Sequence, residues 1–593
     1  MEKISHATPR SKLIFLSVSV IMKIFLSSLS ANANPAPTQF SRLVRSAPGA
    51  ISSNLCKGTP YKAACESVLL SLETNYKDNS NALPKTPKDL FGHSVQFTLG
   101  HAHSALDLAS IILSQRGAAA TTTTTNHLVA AGGGLHDCME LLEDTLDQLS
   151  NVVMNRKNNP ATTKTHPQDV HTWLSAALTN QETCLESLDQ STKFEPEYRG
   201  IMGTMARNLS QHISNSLSLF VSNFQGGSSS STSSGNKNNN GRKLLWDWDS
   251  GSNKDFPGWV SLSERKLLEA STGEIEMKAH AVVAKDGSGT HKTIGEAIRA
   301  VLGGGGAATT LAAGGGGGKN VIYIKAGTYK ETLKFPTKQK NVMLVGDGKG
   351  KTIITASKNA EDGSTTYDSA TVGVMGDGFM ARDITFENSA GPNKHQAVAL
   401  RVGSDRAVIF RCSILGYQDT LYTLSKRQFY RDTDIYGTVD FIFGNSAVVL
   451  QNCNINARSY GERNFVTAQG RTSPEQNTGI SIHNCRINAG SVTYLGRPWK
   501  QYSRTVFMQS ALAGSIHPSG WYPWAGGNNP KSVYYGEYQN SGPGASTSGR
   551  VKWPGYHPVL TSSEAQGFTV GGLIAGNQWL PSTGVSYDSG LIG

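Results

Sequence analysis

The stretch FRCSILGYQDTLYTLSKRQFYRDTDIYGTVDFIFGN, residues 410–445, contains one short unit twice. FRCSILGYQDTLY aligns with YRDTDIYGTVDFIFG so that Ile414 falls under Ile435. Five residues further on, each copy carries an aspartate, Asp419 in the first and Asp440 in the second. A repeat this short cannot bury an apolar face alone, so it must stack on its neighbours. If each copy is one coil of a parallel β-solenoid, equivalent residues lie one strand spacing apart, roughly 4.8 Å. Two carboxylates that close do not ionise equally: one stays protonated as an acid while its partner remains an anion. That is the arrangement of an acid and nucleophile pair, and it points to a hydrolase. An aspartate in a turn more often bonds its own backbone, so neither residue carries the argument alone.

The unit recurs on both sides. Ile384, Ile414, Ile435, Ile455 and Ile487 mark successive copies at spacings of 30, 21, 20 and 32 residues. Variable insertions around a near-constant unit are expected where loops leave a solenoid. The part after Ala279 therefore reads as a right-handed parallel β-helix. A β-sandwich is the alternative, but the regular hairpin turns it needs are missing. Gly303–Gly306 and Gly314–Gly318 read as low-complexity insertions in a surface loop.

Residues 50–225 have a different period. Leu135, Met139, Leu142, Leu146 and Leu149 recur at three- and four-residue steps, as do Val170, Trp173, Leu174, Ala177, Leu178 and Leu185. Both stripes read as core-facing sides of helices. Gln225–Gly241 collapses to Gly, Ser, Thr and Asn, the composition of a flexible linker. Two Arg-Lys-Leu-Leu copies follow, Arg242, Lys243, Leu244 and Leu245, then Arg265, Lys266, Leu267 and Leu268. Basic pairs beside an exposed linker invite proteolytic processing.

A chain of 593 residues is too long for one core and should hold at least two domains. Lys3, Arg10 and Lys12 precede an apolar run from Leu13 to Met22, and Ala31-Asn32-Ala33 follows. Residues 1–33 thus read as a secretory signal peptide or an uncleaved signal anchor. The formal charge of +11 favours an acidic partner, and no nucleic-acid-binding motif accompanies it. Cys56, Cys65, Cys138 and Cys184 fall in the first half, Cys412, Cys453 and Cys485 in the second. Local spacing favours Cys56–Cys65 and Cys138–Cys184, one of three connectivities for the first four. None of the seven has metal-ligand spacing. Asn208-Leu209-Ser210 is a glycosylation sequon.

Five motifs, GTYKE (327–331), HQAVALR (395–401), GYQDTLY (416–422), TVDFIFGN (438–445) and YLGRPW (494–499), give residues 280–593 a close resemblance to plant pectin methylesterases. DCMELLEDTLDQL (137–149) and WLSAALTNQETCLE (173–186) resemble the four-helix inhibitor-like domain that precedes the enzyme in many precursors. The resemblance implies a secreted, cell-wall (apoplastic) hydrolase of methyl esters in homogalacturonan, working as a monomer without metal or organic cofactor. It implies Asp440 as nucleophile, Asp419 as general acid and base, Gln396 and Gln418 as oxyanion donors, and Arg497 as the group orienting Asp440. Thr366 and Trp499 resemble sugar contacts. The Arg-Lys-Leu-Leu pairs resemble subtilase processing sites, so the implied order is signal, pro-domain (50–225), linker (226–269) and enzyme (270–593). The pro-domain, or separate inhibitor proteins, would be its protein partners.

Two departures from the family pattern stand out. Many members bridge a cysteine at the position of Thr433 to the one matching Cys453, which is here expected to be unpaired. NAGSVTYLGRPW (488–499) is shorter than usual before the arginine motif. The rivals are a glycosidase, which needs its two carboxyls about 5 Å or more apart, a lyase, and an inert protein that binds pectin or inhibits esterases.

Overall fold

The computed structural model describes residues 54–75, 83–119, 133–157, 166–191, 195–224, 276, 278–302, 319–525 and 530–593. The signal segment, the linker, both Arg-Lys-Leu-Leu sites and the two glycine runs lie outside the described residues.

The first half is helical: α1 (Lys62–Asn75), α2 (Pro87–Ala119), α3 (Gly133–Lys157), α4 (Pro167–Gln190) and α5 (Pro196–Phe224). Helices α2 to α5 form a bundle, with α3 between α2 and α4, and α5 between α4 and α2. The stripes read from the sequence face its interior, where Leu135, Leu149, Leu174 and Ala177 are wholly buried beside Ile213 and Leu217 of α5. Cys56 is bridged to Cys65 ahead of and within α1, and Cys138 of α3 to Cys184 of α4. The second bridge closes a separation of 46 residues, so it removes much freedom from the unfolded chain. Replacing both its cysteines with serine should lower the stability of the helical half by about 2–4 kcal/mol, read from urea unfolding at 222 nm. Asn208 sits exposed in the middle of α5. Among the described residues no helix is long and apolar enough to cross a membrane.

The second half is a parallel β-helix. Among the described residues its three sheets hold eleven, eight and seven strands, and neighbours in each come from successive coils. Every paired strand runs parallel, as in Leu400–Val402 beside Leu421–Thr423 and Leu421–Thr423 beside Ile442–Gly444. Ile414 pairs with Ile435, Ile435 with Ile455, and Ile455 with Ile487. The lower end of the series needs correction, because Phe386 and not Ile384 lies under Ile414. Ile384 is also buried, so hydrophobicity could not separate the two candidates. The left-handed turn at Asp383 recurs at Arg411, Asp432, Asn452 and Asn484, so Ile384, the residue after it, takes the place of Cys412, and Phe386 takes that of Ile414.

The eleven-stranded sheet is covered on its outer face by the C-terminal segment, where Val570, Leu573, Ile574 and Trp579 pack on Val408, Phe429 and Val449. Helices cover the seven-stranded sheet, and one apolar cluster joins Leu142, Leu178 and Leu188 to Tyr422, Leu424, Phe443 and Ala468. The eight-stranded sheet carries polar rungs, such as the Asn488 amide donating to Asn456 at 2.9 Å. Cys412, Cys453 and Cys485 are free and buried inside the solenoid. Burial pushes the Cys412 thiol up to about 12, which marks it as a packing group and not a nucleophile.

Candidate active site

Asp419 and Asp440 occupy the same corner of consecutive coils. Each follows a strand of the eight-stranded sheet, Ser413–Leu415 or Asp434–Gly437, and lies two residues before a strand of the seven-stranded sheet. Their neighbours Leu421 and Ile442 are direct partners, so a separation of twenty-one residues becomes one rung. Turning this corner requires a left-handed backbone, with φ of 62° at Asp419 and 51° at Asp440. Aspartate tolerates that conformation better than most residues, which is one local reason for the type at both places.

The two carboxyls have different surroundings. Arg497, immediately after the strand Thr493–Gly496, donates from Nε to Asp440 Oδ1 at 2.8 Å and from Nη2 to Oδ2 at 2.6 Å. Its guanidinium carbon lies over the rings of Phe465 and Trp524, 4.4 Å from each centroid. Contact with two aromatic rings restrains the planar fork and so helps hold it on Asp440. The carboxyl of Asp419 has no hydrogen-bond partner among the described residues. Burial, then the charge of Asp440, drives it well above the usual carboxylate range, and Arg497 offsets only part of this. Burial also raises Asp440, but the Arg497 hydrogen bonds and charge pull it back. The pair is therefore split, with Asp419 holding its proton to higher pH than Asp440, whose anion the Arg497 fork favours.

A cavity of ≈190 Å³ opens beside them. Every residue singled out from the sequence as catalytic or sugar-binding lines it: Thr366, Gln396, Gln418, Asp419, Asp440, Arg497 and Trp499. They come from a span of more than a hundred residues, folded together by the stacking of coils. The side-chain amides of Gln396 and Gln418 make no hydrogen bond among the described residues, so the polar ladder seen at Asn456 and Asn488 does not use them. Their donors are available to an oxygen in the cavity. The sequence reasoning missed Trp524, Tyr422 and Phe443, which line the same space. Trp524 falls after the repeats end, where no periodicity marks it. Tyr422 and Phe443 sit in the quoted motifs but look like ordinary strand residues.

The cavity has a second wall that the sequence did not announce. Thr183, Glu186, Ser187 and Gln190 of α4 line it from the opposite side. Gln190 accepts from the Thr366 amide at 2.8 Å, Asn445 donates to Thr179 at 2.9 Å, and Gln476 donates to the Ser175 carbonyl at 3.0 Å. Acidic residues of the helices meet cations of the β-helix throughout: Glu140 with Arg401, Asp144 with Lys426, Asp147 with Lys340, Asp169 with Arg406 and Arg427, and Glu186 with Lys500. Chains inside such a contact lose water on both sides, and paired, hydrogen-bonded charges are what make that tolerable. The helical half thus covers the cleft.

Comparison with known proteins agrees with both halves. Residues 280–577 match the family model described as Pectinesterase, and residues 50–219 match the one described as Plant invertase/pectin methylesterase inhibitor. The chain is 57% identical to "Probable pectinesterase/pectinesterase inhibitor 35" of Arabidopsis thaliana over 526 residues, 88% of this chain and 92% of that one. It is 50% identical to "Pectinesterase 2" of Citrus sinensis over 77% of this chain and 81% of that one. Among solved structures, "Pectin methylesterase from Carrot" is 55% identical with a TM-score of 0.50, covering 53% of this chain and 98% of the carrot chain. A match of that extent is the size of the β-helix half, and the carrot chain has almost nothing beyond it, so in that protein a β-helix of this size stands without a helical half.

Proposed function

This chain belongs to the pectinesterase family and is an ester hydrolase, and from that premise we propose that Asp440 is the nucleophile and Asp419 the proton carrier in the hydrolysis of galacturonate methyl esters in pectin. The split pair carries the reading: an anion locked by Arg497 beside a buried, protonated carboxyl with nothing else to bond.

Asp440 attacks the ester carbonyl, and the resulting oxyanion receives hydrogen bonds from the amides of Gln396 and Gln418. Collapse breaks the bond to the methoxy group, Asp419 donates its proton, and methanol leaves. Asp440 is then joined to the galacturonate carbonyl as an anhydride. Asp419, now a carboxylate, takes a proton from water as the water attacks that carbonyl. The bond to Asp440 breaks and Asp440 is restored as a carboxylate, the galacturonic acid gives its remaining proton to solvent and leaves as galacturonate, and Asp419 holds the proton taken from water. Arg497 keeps one Asp440 oxygen aimed at the cleft through each state. Thr366 contacts the sugar chain and the Trp499 indole packs against a pyranose face.

In the same reading, residues 50–225 are a pro-domain that holds its own enzyme closed. α4 occupies the space a polysaccharide must enter, and a subtilase cut at an Arg-Lys-Leu-Leu site in the linker (226–269) releases the enzyme (270–593) for work in the cell wall after secretion. The released enzyme acts as a monomer. The test is methanol release from highly methylated pectin by residues 270–593 and by the full chain. The separate β-helix should release methanol without shortening the polymer, and the uncut chain should be slower by at least tenfold. A folded β-helix that releases none overturns the esterase reading, and equal rates overturn the closed state.

A further inference from the structure

The cations that meet the helical half are of two kinds. Lys426 and Arg427 also hold carboxylates of their own β-helix, Asp377 at 2.9 Å and Asp405 at 2.6 Å. They would remain paired if α3 and α4 left. Lys500 differs. Its Nζ lies 2.5 Å from Glu186 Oε1, and no carboxylate of the β-helix reaches it among the described residues. It also lies 5.3 Å from the centroid of the Trp499 ring, three residues beyond Arg497.

Glu186 links this cation to the reaction centre. It lines the ≈190 Å³ cavity together with Asp419, Asp440 and Arg497. It also lines a small adjoining space of ≈10 Å³ together with Trp499, Lys500 and Tyr422. A carboxylate carried by a chain that runs through the cleft therefore sits on Lys500 while facing the catalytic pair. Burial raises the Glu186 carboxyl and Lys500 pulls it back, so the ammonium is what makes a charged group acceptable there.

Resting on the esterase reading of the site, we propose that Lys500, beside the Trp499 indole, is a subsite for the free carboxylate of a galacturonate neighbouring the one under attack, and that Glu186 occupies this subsite in the intact chain. A methyl ester is neutral and offers an ammonium only weak acceptors. A de-esterified neighbour offers a full negative charge and a charge-assisted hydrogen bond. The subsite discriminates between the two states of the adjacent sugar, and it gains strength as the polymer is processed. The enzyme then works best beside residues it has already de-esterified.

The test measures binding and not turnover. Residues 270–593 are titrated by calorimetry with a fully de-esterified galacturonate hexamer, in the parent, in Lys500→Met and in Lys500→Arg. Methionine keeps an unbranched apolar stem over Trp499 while removing the charge. Lys500→Met should weaken binding about tenfold, as expected for loss of one hydrogen bond to a charged group, and Lys500→Arg should recover most of it. A fully methylated hexamer, titrated into Asp440→Asn protein to prevent turnover, should not distinguish lysine from methionine at position 500. Equal binding by parent and Lys500→Met, equal losses for both hexamers, or no binding by the parent overturns the subsite. Hexamer binding that depends on Lys500 in a protein releasing no methanol would overturn the esterase reading alone. Methanol release with binding indifferent to Lys500 would overturn the subsite alone.

Discussion

Asp440→Asn in residues 270–593 is expected to lower kcat for methanol release by roughly 10⁴-fold or more, because it removes the atom that forms the covalent intermediate. Asparagine preserves shape and keeps one acceptor for the Arg497 fork, so the fold should survive and the loss will report chemistry. Asp419→Asn should cost about 10²–10⁴-fold, the range for loss of a proton donor and acceptor. The two variants differ in a second way. Asp419→Asn retains the nucleophile, so a substrate whose leaving group needs no proton, such as a p-nitrophenyl ester, should recover much of its acylation burst. Asp440→Asn should show no burst with either substrate. In the parent, activity should fall as alkali removes the Asp419 proton and as acid protonates Asp440, giving a bell-shaped profile. Loss of less than tenfold in folded Asp440→Asn would assign that residue a structural role.

The contribution of Asp137 to docking of the helical half on the β-helix should weaken as pH rises from about 4 to 7. Asp137 of α3 is buried and accepts a hydrogen bond from Thr365. Burial pushes its carboxyl up from 3.8 to about 7; Asp368 raises it further, while the Thr365 hydrogen bond, Lys334 and Arg401 lower it. Undocked, water reaches Asp137 and returns it to its ordinary value. The docked form then holds a proton that the separated form has released. Below the ordinary value both forms are protonated and docking has no penalty from Asp137. Above it, docking loses strength with each pH unit until the raised value is passed. Asp137 thereby contributes a rise on the order of ten- to a hundredfold in the dissociation constant of the two halves, expressed separately and mixed, across pH 5 to 7.5. Buried His171 of α4, which meets the Glu475 carbonyl of the β-helix, works the other way, since burial lowers it to about 4. Asp137→Asn stays neutral at every pH, so the ratio of parent to variant dissociation constants isolates the Asp137 contribution and should rise by that factor. A ratio that stays flat across this range would remove Asp137 as the cause.

Much of the candidate site was legible because a solenoid converts sequence periodicity into spatial coincidence. Aligning Ile414 with Ile435 is the same act as placing Asp419 beside Asp440, since one register governs both. The reading failed where two buried apolar residues of one coil compete for the same place in the alignment, as Ile384 and Phe386 do, and where no repeat exists, as at Trp524. The bundle was legible for a similar reason, since stripes at helical period can only face a core. What each stripe's opposite side faces is another matter. Asp137, Asp144, Asp169 and Glu186 look like solvent-exposed acids on amphipathic helices, yet each is covered by the β-helix.

The sequence by itself determined the two architectures and the pairing of the aspartates, because these follow from local period and from coil-to-coil stacking, while Thr366, Gln396, Gln418, Arg497 and Trp499 were singled out by the family resemblance of their motifs. Only the tertiary structure decided that α4 lies across the cleft, that Glu186 reaches Lys500, and that Asp419 alone of the pair lacks a partner. Those contacts join positions 176 to 314 residues apart, from Gln190 with Thr366 to Glu186 with Lys500. They depend on the shape and charge of two finished surfaces, for which no repeat or period in the chain supplies a register.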